Sequence, residues 1–137
     1  MNTLAQIKAQ VTQLAEHIQA PPETLPTFGA SADFGRPHIE VRETKYHYIA
    51  IERGKEIAHS STTDMDELLY WIFRDITSQM GYSYELAHRD STQDFRRIAF
   101  AHTLKILEQL NPAWKANRET ELTETLRKYP FQDDLNI

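Results

Sequence analysis

Two runs constrain this chain more than anything else in it: Asp66–Thr77, DELLYWIFRDIT, and Asp94–Trp114, DFRRIAFAHTLKILEQLNPAW. Large apolar residues recur in both at helical spacing, an Arg-Arg pair opens the second, and that run stops at Asn-Pro. Met65, Leu68, Leu69, Ile72, Phe73, Ile76 and Met80 draw one wide apolar face, with Asp66, Glu67, Arg74 and Asp75 around the rest. A helix with a stripe this wide must bury it against other elements, so these runs set the core.

The boundaries of the helical half follow from its punctuation. Thr63 or Asp64 is placed to cap the first helix, because a side-chain oxygen there accepts from amides of the first turn. The pattern continues through Tyr84 to about Arg89, with a kink expected near Gly81. Ser91 with Asp94 resembles a capping box with a shortened acid. The next helix is expected from about Thr92 to Leu110, with Phe95, Ile98, Ala99, His102, Ile106 and Leu110 along one side. Asn111 then caps a last helix whose first position is Pro112, where a missing N–H costs nothing. That helix carries Trp114, Leu122 and Leu126 and ends near Tyr129, before Pro130.

Upstream, Leu4, Ile7, Val11, Leu14 and Ile18 form one narrow helical stripe, and Pro21-Pro22 ends it, giving a helix over 1–20. Residues 21–37 hold four prolines and two glycines and read as a connecting loop. His38–Arg42, Tyr46–Glu52 and Glu56–Thr62 read as strands, rich in β-branched and aromatic residues. Alternation puts Tyr46, Tyr48, Ala50 and Glu52 on one face of the middle strand and His47, Ile49 and Ile51 on the other. Arg53-Gly54-Lys55 is the turn to the last strand, with glycine able to take positive φ. Strands and helices are segregated along the chain. The expected class is α+β: an N-terminal helix, a three-stranded antiparallel sheet over 38–62, then three C-terminal helices over 64–129 packed on it. At 137 residues, one domain spanning 1–137 is expected.

Composition narrows function by exclusion. There are no cysteines, so disulfides and thiolate metal sites are ruled out. No apolar run approaches the roughly 18 residues a membrane span needs. The opening MNTLAQIKAQ has neither the basic nor the continuous apolar region of a signal peptide, so the expected location is cytoplasmic. The formal charge of −5 is uneven: within 61–90, six acids (Asp64, Asp66, Glu67, Asp75, Glu85, Asp90) face two bases (Arg74, Arg89), a net of −4. Such a surface argues against a nucleic acid, which needs a basic stripe to displace phosphate counterions; it permits a basic partner, while on charge alone a solvated acidic face is the simpler reading.

No motif here carries catalysis. The six histidines (His17, His38, His47, His59, His88 and His102) lack the i, i+4 pairing with a carboxylate that a zinc-protease helix needs. His38, His47 and His59 lie on neighbouring strands and could converge, but with no obvious supporting shell for a metal. Asp64-Met65-Asp66 looks like an acidic metal pair, yet a helix start favours acids for its own dipole. The four glycines build no phosphate loop, and no nucleophile elbow surrounds any serine. No catalytic residue, metal or cofactor is expected. Arg96-Arg97 admits two readings: an anion site, or an internal bridge to a carboxylate or to helix-end carbonyls with the stems packed on aromatics. Asp75, Glu85 and Asp94 are the candidate partners. Tyr70, Trp71 and Trp114 stand at helical spacing as core residues. Tyr46 and Tyr48 share a strand face and are better candidates for exposed anchors.

Taken in order, ELLYWIFRDIT (67–77), YELAHR (84–89), DFRRIAF (94–100), LNPAW (110–114) and YPFQDD (129–134) resemble the immunity protein 63 family of bacterial polymorphic-toxin and contact-dependent inhibition systems. The resemblance covers about half of the chain. It implies a protein that binds and neutralises a cognate toxin, such as a nuclease, by occluding its active site or an adjacent surface, with no enzymatic activity. Trp71, Arg96, Arg97, Pro112, Trp114, Pro130 and Phe131 match the family pattern and are expected to be scaffold. Discrimination among toxins needs residues that differ between relatives. The expected contacts are therefore Asp64, Asp66, Glu67 and Asp75, with Tyr46 and Tyr48. Two other readings stay open: a small enzyme using Arg96, Arg97 and the histidines on an anionic substrate, or an adaptor that binds another protein.

Overall fold

A computed structural model describes residues 1–133. The chain is α+β and divides into two compact units, residues 1–72 and residues 73–137. The final acid of the YPFQDD run, Asp134, lies outside the described residues.

The first unit opens with α1, Leu4–His17. Thr3 Oγ1 accepts from the Gln6 amide while Gln6 Oε1 accepts from the Thr3 amide, a reciprocal cap that satisfies two donors. Ile7, Val11, Ala15 and Ile18 are buried, as the stripe requires. The helix stops ahead of the prolines that were expected to end it. Gln19 turns left-handed at φ 55°, and the Gln19 and Ala20 amides donate back to Glu16 and Ala15. This is a Schellman closure with glutamine in the place glycine usually takes.

The Pro/Gly segment is more than a connection. Thr27–Phe28 forms a short strand, β1, parallel to β2 (Pro37–Arg42), with Thr27 beside His38 and Phe28 beside Ile39. The Gly29 amide donates to Ile39 O, the Gly35 amide to Ile51 O, and Arg36 Nε to Leu25 O, all at 2.8 Å. β3 (Lys45–Glu52) and β4 (Lys55–Thr62) complete a sheet in the order β1-β2-β3-β4. The sheet is therefore four-stranded and mixed, where three antiparallel strands were expected. A two-residue strand has no room for the alternation that reveals longer ones.

Both hairpins close on paired positive φ values, Glu43 and Thr44 in one and Arg53 and Gly54 in the other, as type I′ turns require. A bulge at Ala50/Ile51 interrupts the β3–β4 ladder near the second turn. Both faces of the β2–β3 pair carry buried side chains: Ile39 and Tyr46 on one, His38, His47 and Ile49 on the other. β4 differs, being exposed along its length until Thr62. α2 (Met65–Ala87) begins in this unit, with Leu68, Leu69, Tyr70 and Ile72 buried. Trp71 is half-buried, its ring stacked on Tyr48 at 6.5 Å.

The second unit holds the rest of α2, then α3 (Phe95–Leu110) and α4 (Pro112–Lys128). Phe73, Ile76, Thr77, Ala99, Thr103, Ile106, Leu107, Trp114 and Leu122 are buried, and Phe73 stacks on Trp114. The α3 core side is rotated from the expected one. Thr103 and Leu107 point inward, Phe95 is exposed and His102 half-buried. Thr103 Oγ1 donates to Thr77 O across the α2–α3 contact. α2 runs unbroken through Gly81, which is a point of close approach: a Cβ there would stand 2.2 Å from Thr103 Oγ1 and 2.5 Å from Ala99 O. Asn111 Oδ1 caps α4 at Pro112, as expected. The start of α3 is shifted. Asp94 is itself the cap, accepting from the Arg96 amide, and Asp90 instead orders the turn by accepting from Thr92.

Candidate functional site

The sequence-nominated contact residues divide between the two units. Asp64, Asp66 and Glu67 crowd the opening turn of α2 and are exposed. Asp64 Oδ1 accepts from the Asp66 amide at 2.9 Å, so one of the three carboxylates also caps the helix. Acids here gain from the helix dipole. Asp75 is less available: it is half-buried and lies 3.6 Å from Arg74, which also faces Glu121 at 3.6 Å.

The two tyrosines are not a pair of exposed anchors. Tyr46 is only 2% exposed, and its hydroxyl accepts from the Asn2 amide at 2.8 Å. Tyr48 is half-buried beneath Trp71. Alternation correctly put them on one face, but that face is a covered one. The exposed strand of this sheet is the one next door. β4 is an edge strand of eight residues with Ile57 exposed, and it leads directly into the acidic turn.

The histidines of the sheet form two polar chains. His47 Nδ1 lies 2.8 Å from His59 Nε2, and His59 Nδ1 lies 2.8 Å from Glu56 Oε1. His38 Nε2 meets Glu40 Oε2 at 2.8 Å, which holds the Glu40 carboxyl below its ordinary value. Among the described residues no group of three or more histidine, aspartate or glutamate side chains is arranged to hold a metal ion.

Arg96 and Arg97 take the internal role. Arg96 donates to both Asp94 oxygens and to the carbonyls of Tyr129 and Pro130. Arg97 donates to both oxygens of Asp133 and stacks over the Phe131 ring at 4.2 Å. The Gln132 amide donates to Asp94 Oδ2, and the Asp94 amide to Asp133 Oδ1. DFRR and YPFQD are thus two halves of one clamp, closing the segment after α4 onto the start of α3. Of the three expected partners only Asp94 serves. Asp75 pairs with Arg74 and Glu85 with Arg89, while Asp133 had not been nominated. The Arg96 guanidinium, helped by the two amides, holds the buried Asp94 carboxyl well below the usual carboxylate range. Arg97 lowers Asp133 in the same way.

With both forks occupied, the arginines are poorly placed to receive an anionic substrate. Arg97 borders two shallow grooves, one of about 300 Å³ lined mainly by Phe100, Leu104, Leu122, Leu126 and Phe131, the other of about 320 Å³ with Tyr84, Ile98, His102 and Lys105. Trp114 is buried on Phe73, and Pro112 opens α4, so both family-motif residues are framework. Among the described residues no helix is long and apolar enough to cross a membrane.

No curated protein and no solved structure matches this chain. The family model described as Immunity protein 63 matches residues 42–124, from the end of β2 through β3, β4, α2 and α3 into α4. That span takes in β3, β4 and the motifs between 67 and 114, leaves YPFQDD (129–134) outside, and exceeds half of the chain. The protein belongs to the Immunity protein 63 family.

Proposed function

We propose that this protein is an immunity protein that binds a cognate bacterial toxin and neutralises it by covering the toxin's active site or a neighbouring surface. The family match over residues 42–124 carries the reading. Asp94, Arg96, Arg97 and Asp133 are occupied internally, in the clamp. Toxin contact is therefore assigned to surfaces beside it. Asp64, Asp66 and Glu67 supply three exposed acids in four residues. If the toxin is a nuclease, its substrate surface is basic, and such a patch would speed association and select orientation. Asp75, Tyr46 and Tyr48 are placed second to these on grounds of burial.

The test is co-expression with the toxin domain encoded beside this gene in a toxin-sensitive host, with purification of the pair. Rescue of growth and a stable complex are expected. Absence of both would overturn the proposal.

A further inference from the structure

We infer that the outer edge of β4 is the docking site for an extended segment of the toxin, which adds to the sheet as a fifth strand. This rests on the immunity reading above and names the surface that reading leaves open.

The sheet order ends at β4, so among the described residues one side of this eight-residue strand has no neighbouring strand. In an antiparallel ladder the amide and carbonyl of alternate residues point away from the existing partner. From Ala58 to Thr62 the register against β3 is unbroken, pairing Ala58 with Ala50 through to Thr62 with Tyr46. This stretch therefore presents a regular row of outward hydrogen-bonding groups.

Folded proteins ordinarily protect such an edge with lysine, proline, inward charge, brevity or a bulge. The one bulge here lies at the turn end, at Ala50/Ile51, and the strand's formal charges, Lys55 and Glu56, lie there too. Residues 57–62, IAHSST, carry no lysine, arginine, acid or proline. Ala58, Ser60, Ser61 and Thr62 are also small, so an approaching backbone meets little bulk. The other sheet edge, β1, is only two residues long.

The chemistry of the occupant follows from what comes next in the chain. Thr62 leads within two residues into Asp64, Asp66 and Glu67, all exposed. A strand laid along Ala58–Thr62 thus has one end beside three carboxylates. The fitting partner is an extended toxin segment with lysine or arginine at that end. Main-chain hydrogen bonds would give affinity, and the terminal charges would give direction and selectivity.

The experiment uses the whole protein and the toxin domain encoded beside it, with amide hydrogen exchange read residue by residue. Alternate amides between Ala58 and Thr62 should exchange quickly in the protein alone and slow by at least about ten-fold in the complex. A complex that leaves these amides unprotected overturns the edge assignment while sparing the immunity reading; failure to form any complex defeats both. Ser60→Pro and Ser61→Pro supply the second arm. One of the two consecutive amides bonds β3 and the other faces outward, so one variant should keep the parental circular dichroism and lose about ten-fold or more in toxin affinity. A folded variant of this kind with parental affinity would also overturn the assignment. If the amides are already protected without toxin, and sedimentation shows a concentration-dependent dimer, the edge belongs to a second copy and the inference fails.

Discussion

Arg97 and Asp133 stand 36 positions apart in the chain and 2.8 Å apart in space, with the Phe131 ring under the same guanidinium. This pair and its neighbour, Arg96 with Asp94, have a mechanical meaning. They anchor the segment that follows α4 to the first turn of α3. The cations sit near a helix start, where the dipole disfavours them, and the two carboxylates compensate.

Arg96→Met should cost about 3–5 kcal/mol in urea unfolding, because it leaves the buried Asp94 carboxylate without its cation. It also removes the bonds to the Tyr129 and Pro130 carbonyls, which are exposed and can turn to water. Arg97→Met should cost less, since Arg97 and Asp133 are both more exposed. Equal losses would mean that burial does not rank the two pairs.

Acid should loosen the same clamp. Asp94 titrates below its unfolded value, so its contribution is fully present above about pH 4 and is lost as pH falls from there toward the folded pKa. Thermal midpoints should be insensitive to this pair between pH 7 and 5 and should drop below about pH 4. Asp94→Asn should lower the midpoint at neutral pH and flatten the acid limb. An unchanged acid limb in that variant would assign the loss to other carboxylates.

Gly81→Ala tests close approach against helix propensity. Propensity alone favours alanine by about 1 kcal/mol in a helix interior. The new methyl would meet Thr103 Oγ1 and Ala99 O inside contact distance, so a net loss of roughly 1–3 kcal/mol is expected. Stabilisation by the variant would show that α2 and α3 separate at little cost.

The two tryptophans should part company. Trp114→Ala removes a buried ring stacked on Phe73 and should cost about 3–5 kcal/mol. Trp71→Ala removes a half-buried ring on Tyr48 and should cost distinctly less. Chemical denaturation of both variants orders them directly.

Asp66→Lys with Glu67→Lys should leave the fold intact and weaken toxin binding by about ten-fold or more at low salt, with the gap closing in high salt. Affinity measured at two ionic strengths separates this from a packing defect, which salt would not repair. Parental affinity at low salt would move the contact away from the start of α2.

The amino-acid sequence by itself determined the order of the helices and of the three longer strands, most helix ends and the family. Periodicity along Leu68–Ile76 reports which residues share a face, and Asn111-Pro112 and Arg53-Gly54 report where the backbone must turn; both are local physics. Tertiary structure alone decided which faces are covered. Tyr46 lies on the face that alternation assigns, yet a period of two says nothing about whether that face is buried. Phe95 and His102 yielded their expected places to Thr103 and Leu107, with Thr103 and Ala99 on the side of α3 that meets α2 at Gly81. Asp133 became the partner of Arg97, and Thr27–Phe28 a strand beside β2, through chain closures that no short window contains. The unprotected edge of β4 belongs to the same class. Its composition was legible, but only the strand order made it an edge.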